Sequence, residues 1–363
     1  MARRWLYAAV ALLVLGWGLT FLVAPWSNGH GLDVIHFAQR ADHWLHHGKL
    51  PYRDVHFEYP PLAAALIALP GAVHVGSYAF GFGLVQLVFG VATVLLAAAA
   101  ARLTDGDERR AAFAVAVMPL LLGAIVRGYF DLVPTALLLG AVVAILSRRV
   151  VLGFALLGLA IATKGYPIVV VPIALAWLLG QRRRREAIAG GVAVVAVVGV
   201  VVGAVLAISP SGLWWAVHYQ TARPLEVEGT PALILFVVDT LDGVRRGRIV
   251  HTYGSWNLIH HGGGPLAAGF TVLLGVTVVA LTIAVFRAPG RRALPAASFA
   301  AVAAFAVYGK VFSPQYAIWI VPLFALALAW GRYGATAVAL VAIVLSRVEY
   351  PPSSARCYSA TPG

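Results

Sequence analysis

Charge is scarce in this chain: Asp, Glu, Lys and Arg make up only 11% of 363 residues, against about 25% in ordinary soluble domains. With 61% of residues hydrophobic, so few ions cannot cover a water-facing surface, and a soluble globular domain is excluded. Cysteine is scarcer still. The single Cys357 excludes an internal disulfide and any thiolate metal cage. Acid is outnumbered by base, 14 to 27, a balance that raises the question of nucleic acid. The basic residues sit in small clusters between apolar blocks and form no continuous face, so a nucleic-acid partner is excluded. No Gly-rich phosphate-cradling loop and no cytoplasmic catalytic domain is found.

What the chain does have is apolar blocks, separated by short polar punctuation as membrane spans require. Measured against the roughly 20 residues a spanning helix needs, they predict about eleven spans. These lie near 5–24, 78–101, 111–126, 131–147, 150–163, 167–180, 187–208, 265–286, 294–308, 316–330 and 334–346. The whole of 1–363 reads as one integral membrane domain. The first block follows Arg3 and Arg4 and is long for a cleaved signal peptide, and Pro25 makes a cleavage site awkward. It is read as an uncleaved span.

With the N-terminus cytoplasmic, Arg102, Arg109, Arg110, Arg148, Arg149, Arg182 to Arg185, Arg287, Arg291, Arg292 and Arg332 share the cytoplasmic side. The opposite short loops carry Arg127, Lys164 and Lys310. Excess Lys and Arg in short loops stays cytoplasmic, which supports this orientation. Counting Pro61 to Val75 as a full span would invert everything after it, so that block is read as dipping into or lying on the outer leaflet. Two long loops, 25–77 and 209–264, then face outward, and the informative polar chemistry is extracytoplasmic.

In the first outer loop, Val34, Phe37, Ala38, Ala41 and Leu45 recur at helical spacing between Asp33 and Gly48, with His36, Arg40, His43 and His47 on the other face. The pattern predicts an amphipathic surface helix. Asp33 at its start has two readings, a helix cap or a functional carboxylate. Six of the eleven histidines, His30, His36, His43, His46, His47 and His56, fall in this loop. His43 and His47 have a zinc-like spacing, but no zinc signature surrounds them, and no metal is expected. Beyond the helix, Pro60 and Pro61 force extended backbone and hold Glu58 and Tyr59 on a stiff turn at the membrane edge.

These residues resemble a family. An Asp soon after the first span, an amphipathic stretch ending in Gly, then Pro51-Tyr52 and Tyr59-Pro60-Pro61-Leu62 look like the integral-membrane glycosyltransferases of the GT-C fold. The likeness is in particular to the actinobacterial members of glycosyltransferase family 87, mannosyltransferases that use polyprenyl-phosphate mannose. It extends to Lys164-Gly165-Tyr166-Pro167 and to Phe312-Ser313-Pro314-Gln315-Tyr316-Ala317-Ile318-Trp319. The resemblance implies an all-α GT-C-like bundle, a lipid-phosphate sugar donor, inversion in one displacement and no cofactor. It also implies that Asp33 is the catalytic base. One departure is visible. Past Glu349-Tyr350-Pro351-Pro352 the family usually continues with membrane segment, whereas here a polar tail, 353–363, follows. A truncation or a changed reading frame is expected there.

Around Asp33 the candidate site then comprises Glu58 as a second catalytic carboxylate, with Tyr59, Arg127, Asp131, Lys164, Arg223, Gln315 and Tyr316 binding substrate. Arg223 offers the planar donor fork that suits a phosphate, although snorkelling equally accounts for Lys164 and Lys310. Trp214 and Trp215 are either belt aromatics or a sugar platform. The expected reaction is transfer of a sugar, mannose by resemblance, from a polyprenyl-phosphate donor to a hydroxyl of a lipid or glycan acceptor. The rival class is a transporter or lipid flippase. That class places ionisable groups near the bilayer midplane and carries repeats, whereas here they stand at span ends.

Overall fold

The computed structural model describes residues 4–23 and 33–349, with side chains through Arg347. The polar tail, Cys357 and the segment around His30 lie outside the described residues. The chain opens with α1 (Arg4–Leu22), α2 (Val34–His46), α3 (Pro61–Val73) and α4 (Tyr78–Leu103). Three short helices follow, α5 (Glu108–Ala116), α6 (Met118–Leu122) and α7 (Ile125–Gly128). Then come α8 (Leu132–Leu146), α9 (Val150–Thr163), a 3-10 turn at Tyr166–Val169, α10 (Val170–Gly180) and α11 (Arg184–Ile208). The second long loop holds α12 (Pro210–Ala222), β1 (Leu225–Glu226), α13 (Thr230–Leu241), β2 (Arg248–Thr252) and β3 (Ser255–Ile259). The chain closes with α14 (Gly263–Arg287), α15 (Ala293–Tyr308), a 3-10 turn at Pro314–Tyr316, α16 (Ala317–Ala329) and α17 (Tyr333–Glu349).

The expected apolar blocks are helical, with one correction. Block 111–126 is not a single continuous helix but α5, α6 and α7 in succession. Pro119 lacks the N–H that would continue α5 and starts α6 instead. Gly123 then takes φ +60, in the left-handed region that ends a helix. Among the described residues, α1, α4, α11 and α14 are each long and apolar enough to cross a bilayer unaided. Block 61–75 is a 13-residue helix, about 20 Å long against a hydrocarbon core of about 30 Å. Left-handed His74 stops it, its N–H returning to the Pro70 carbonyl.

A second departure lies in loop 209–264, where a small antiparallel sheet of order β1-β3-β2 joins the otherwise helical fold. Tyr253 and Gly254 both have positive φ, the geometry of a two-residue hairpin turn. That turn sets His251 opposite Trp256 and Thr252 opposite Ser255. The Glu226 N–H donates to the Lys310 carbonyl, so the sheet is tied to the connection between α15 and α16.

One continuous core runs from Ala9 to Ile343. The basic connections gather at one end of it. Arg292 donates to the Thr104 and Asp105 carbonyls at 2.8 and 2.6 Å. Trp177 and Gln181 donate to the carbonyls of Gly290 and Pro289, and the Asp107 N–H reaches the Ala329 carbonyl. Asp107 also caps α5, accepting from the Arg109 and Arg110 amides. The loops carrying Asp33, Lys164 and Lys310 gather at the other.

Candidate active site

The site grows from the strap of residues between α2 and α3. Tyr59, held extended by Pro60, donates its hydroxyl to Asp33 Oδ2 at 3.2 Å. Asp33 begins α2, yet its side chain makes no capping hydrogen bond. The cap reading therefore fails at the level of geometry, because the carboxylate turns to Tyr59 instead. Asp33 keeps some surface open while its carboxyl is packed round by protein. That desolvation raises its pKa to about 6, opposed first by the Lys164 charge and then by the Tyr59 hydroxyl, with Asp131 adding to the rise.

Asp131 anchors the neighbouring half of the site. Its Oδ1 accepts from Lys164 Nζ at 2.7 Å and from the Trp319 indole N–H at 2.6 Å, and the residue is 1% exposed. Lys164 lies 5.0 Å above the Phe130 ring and within 5.6 Å of the Tyr316 and Trp319 rings, so aromatic faces share in holding its charge. Trp319 is sandwiched between Tyr166 at 4.0 Å and Tyr316 at 3.8 Å. Each phenol comes from a proline-bearing 3-10 turn, one before α10 and one before α16. The Lys-Gly-Tyr-Pro and Ser-Pro-Gln-Tyr motifs thus meet at a single ring stack.

The second long loop supplies the remaining charges. Arg223 donates to Glu226 Oε1 at 3.1 Å and to Ser255 Oγ at 2.7 Å. Burial lifts the Glu226 carboxyl to about 7, restrained mainly by Arg223, while the Asp33 charge adds to the rise. Lys310 donates to the Thr221 carbonyl at 2.7 Å, and its pKa is lowered by burial and by Arg223.

The sequence model of glycosyltransferase family 87 matches residues 57–314. The chain belongs to glycosyltransferase family 87. No curated protein matches it. Among solved structures, ArnT from Cupriavidus metallidurans bound to undecaprenyl phosphate is similar at 18% identity and TM-score 0.56, covering 94% of this chain and 60% of that one. Apo ArnT matches at 16% identity and TM-score 0.56 over the same shares. An oligosaccharyltransferase from Archaeoglobus fulgidus matches more weakly, at 10% identity and TM-score 0.48, over 96% of this chain and 56% of that one. The family-87 chain therefore has the GT-C fold of a polytopic membrane protein and spans 60% of the length of ArnT. Asp33 lies upstream of the matched stretch, so its standing rests on the geometry around it.

Of the expected site residues in this family-87 chain, Asp33, Tyr59, Asp131, Lys164 and Tyr316 converge, and Arg223 stands within electrostatic reach of Tyr316. Gln315 is buried against the Ser313 hydroxyl, which donates to its Oε1. Glu58 is engaged elsewhere, both carboxylate oxygens accepting from Arg40 Nη2 at 2.9 and 3.0 Å. Arg127 is drawn to α1, donating to the Thr20 carbonyl at 3.0 Å with its guanidinium 4.3 Å from the Phe21 ring.

Arg40, Glu226 and Trp319 were not among the expected site residues. Arg40 stands seven residues after Asp33, on the same helical face, and that spacing was the available signal. Its ion pair with Glu58 and its place beside the Phe57 and Tyr59 rings take it out of the solvated polar face expected for it. Leu45 is corrected in the opposite sense, being 41% exposed. His43 hydrogen-bonds the Gln39 carbonyl at 2.7 Å through Nδ1. Among the described residues, no group of three or more His, Cys, Asp or Glu is arranged to hold a metal.

Proposed function

We propose that the protein transfers a sugar, mannose in our reading, from a polyprenyl-phosphate donor to an acceptor hydroxyl on the extracytoplasmic face, with Asp33 as general base. The observation that carries this reading is the Asp33 carboxyl, raised to about 6 beside the Tyr59 hydroxyl and the Lys164 charge. A base poised near ambient pH is what proton removal from a hydroxyl calls for. The undecaprenyl phosphate bound to ArnT supports a lipid-phosphate donor for a chain sharing that fold. The basic turns at the opposite end support a cytoplasmic assignment for that end, and so an outward-facing site.

In the reaction, the acceptor oxygen attacks the anomeric carbon on the face opposite the phosphate. The bond from that carbon to the phosphate oxygen breaks, and configuration inverts in one displacement. The acceptor proton passes to Asp33, and the polyprenyl phosphate leaves with its electron pair. Lys164 and Arg223 offset the charge that develops on the departing phosphate. Purified protein, radiolabelled polyprenyl-phosphate mannose and a panel of other polyprenyl-phosphate sugars test this reading. Transfer from none of them refutes it, and transfer from a different sugar alone refutes mannose.

A further inference from the structure

The strap between α2 and α3 has two sides, and only one faces Asp33. The strap is braced from within and from α12: Tyr52 Oη donates to the Tyr59 carbonyl, and Gln220 Nε2 of α12 donates to the Glu58 carbonyl at 3.0 Å. Away from Asp33, strap and α12 line an open cavity of about 460 Å3, whose walls include Tyr52, Asp54, His56, Trp214, Trp215 and His218. That volume falls within the roughly 300–1,000 Å3 of small-molecule sites.

The walls are locked before any ligand arrives. Ser209 caps α12, accepting from the Gly212 N–H while its own hydroxyl donates to the Tyr52 carbonyl at 3.1 Å. A side chain at Gly212 would stand 1.9 Å from that same carbonyl, so only glycine permits the approach. The His56 ring lies flat on Trp215, centroids 4.1 Å apart and planes within 5°. Trp214, by contrast, is 70% exposed.

The chemistry of the walls selects among ligands. Asp54 is paired with Arg53, which donates to both of its oxygens, and Oδ2 also accepts the Leu50 N–H at 2.8 Å. Opposite charges therefore balance in this wall, and no bare cluster of cations awaits a phosphate. Indole faces beside hydroxyl, imidazole and carboxylate groups suit a ligand that is apolar on its C–H faces and polyhydroxylated at its edges.

We infer that this cavity is a saccharide subsite that holds the acceptor, with Trp214 as its open platform and His218 and Asp54 as partners for hydroxyls. The inference rests on the glycosyltransferase reading and extends it from donor to acceptor. It makes the strap a partition, acceptor sugar on one side and Asp33 on the other, so that the reacting hydroxyl comes over the Glu58–Tyr59 edge.

The test uses the full chain in nanodiscs, with methyl and octyl glycosides of mannose, glucose and galactose as probes, followed by saturation-transfer NMR and tryptophan fluorescence. At least one glycoside is expected to bind saturably. Trp214→Ala and His218→Ala should each raise its Kd by about tenfold or more, while undecaprenyl phosphate binds these variants as it binds the parent. Because Trp214 and His218 are exposed, truncating them removes no core. Saturation by methyl glycosides identifies a free glycan, and saturation by octyl glycosides alone a lipid-borne sugar; either supports the subsite. No saturable glycoside, or variants that bind like the parent, overturns it. Glycoside binding without undecaprenyl phosphate binding would instead refute the donor reading and leave this cavity standing.

Discussion

The Tyr59 hydroxyl meets Asp33 Oδ2 at 3.2 Å, joining the turn that enters α3 to the first residue before α2. Burial around this contact desolvates Asp33, which still keeps some surface open, and the balance of the two fixes a pH signature. A base acts when ionised, so with a pKa of about 6 the rate should fall as pH drops below that value. Asp33→Asn should lose about 10²-fold or more and the pH dependence with it. Tyr59→Phe removes a group that lowers the Asp33 pKa, so the acid limb should move to higher pH. Single-turnover rates across pH check both, and an unmoved limb in Tyr59→Phe removes Asp33 from the base role.

Glu58 serves as the control carboxylate. Its pairing with Arg40 predicts that Glu58→Gln costs stability more than chemistry, with transfer within about tenfold of the parent once folded protein is counted. Thermal unfolding in detergent alongside transfer rates separates the two effects. Loss of transfer in a stable Glu58→Gln protein, with activity retained in Asp33→Asn, would move the base to Glu58.

Arg223 and Glu226 form a pair only 14% and 9% exposed, and removing one partner of such a pair strands the other. Arg223→Ala should therefore lower the Tm as well as donor affinity, at a cost of up to about 3–5 kcal/mol when Glu226 is ionised. The sign with pH follows from the raised Glu226 pKa of about 7. At about pH 5.5 the carboxyl is neutral and needs no partner, so the Tm loss should be small; at about pH 8.5 it should be largest. Arg223→Ala with Glu226→Gln should recover the Tm but not donor binding. A Tm loss equal at both pH values would show that Glu226 is not the cause.

Orientation has its own test. In a background without Cys357, cysteine placed at Ser211 should react with an impermeant thiol reagent in intact cells, and cysteine at Arg184 should not. The reverse pattern would turn the protein over and put Asp33 in the cytoplasm.

Much of the fold was readable from the order of apolar blocks, because a bilayer imposes helix on any long apolar run. Val34, Phe37 and Ala41 are buried as their spacing required. The interior partnerships were not readable. Trp319 reaches Asp131 from 188 residues away, and no local pattern states that an indole N–H will share an oxygen with Lys164. Arg40 illustrates the same limit: periodicity gives a side chain its face, but not whether water or a Glu58 waits there. The hairpin around Tyr253-Gly254 was missed because its flanking strands are short and only half apolar.

The helix lengths carry a consequence for the bilayer itself. Those meeting at the Asp131–Lys164–Trp319 cluster are short: 15 residues in α8, 14 in α9, 11 in α10, 16 in α15 and 13 in α16. At 1.5 Å per residue none exceeds about 24 Å, while α4, α11 and α14, with 26, 25 and 25 residues, reach about 38 Å. A membrane about 30 Å thick cannot match both sets at once. Tilt accommodates the long helices, and over the short ones the mismatch favours a thinner bilayer, a depression in the leaflet walled by the long ones. A lipid-borne phosphate sliding into that depression would stay hydrated down to Lys164 while its tail remained in oil.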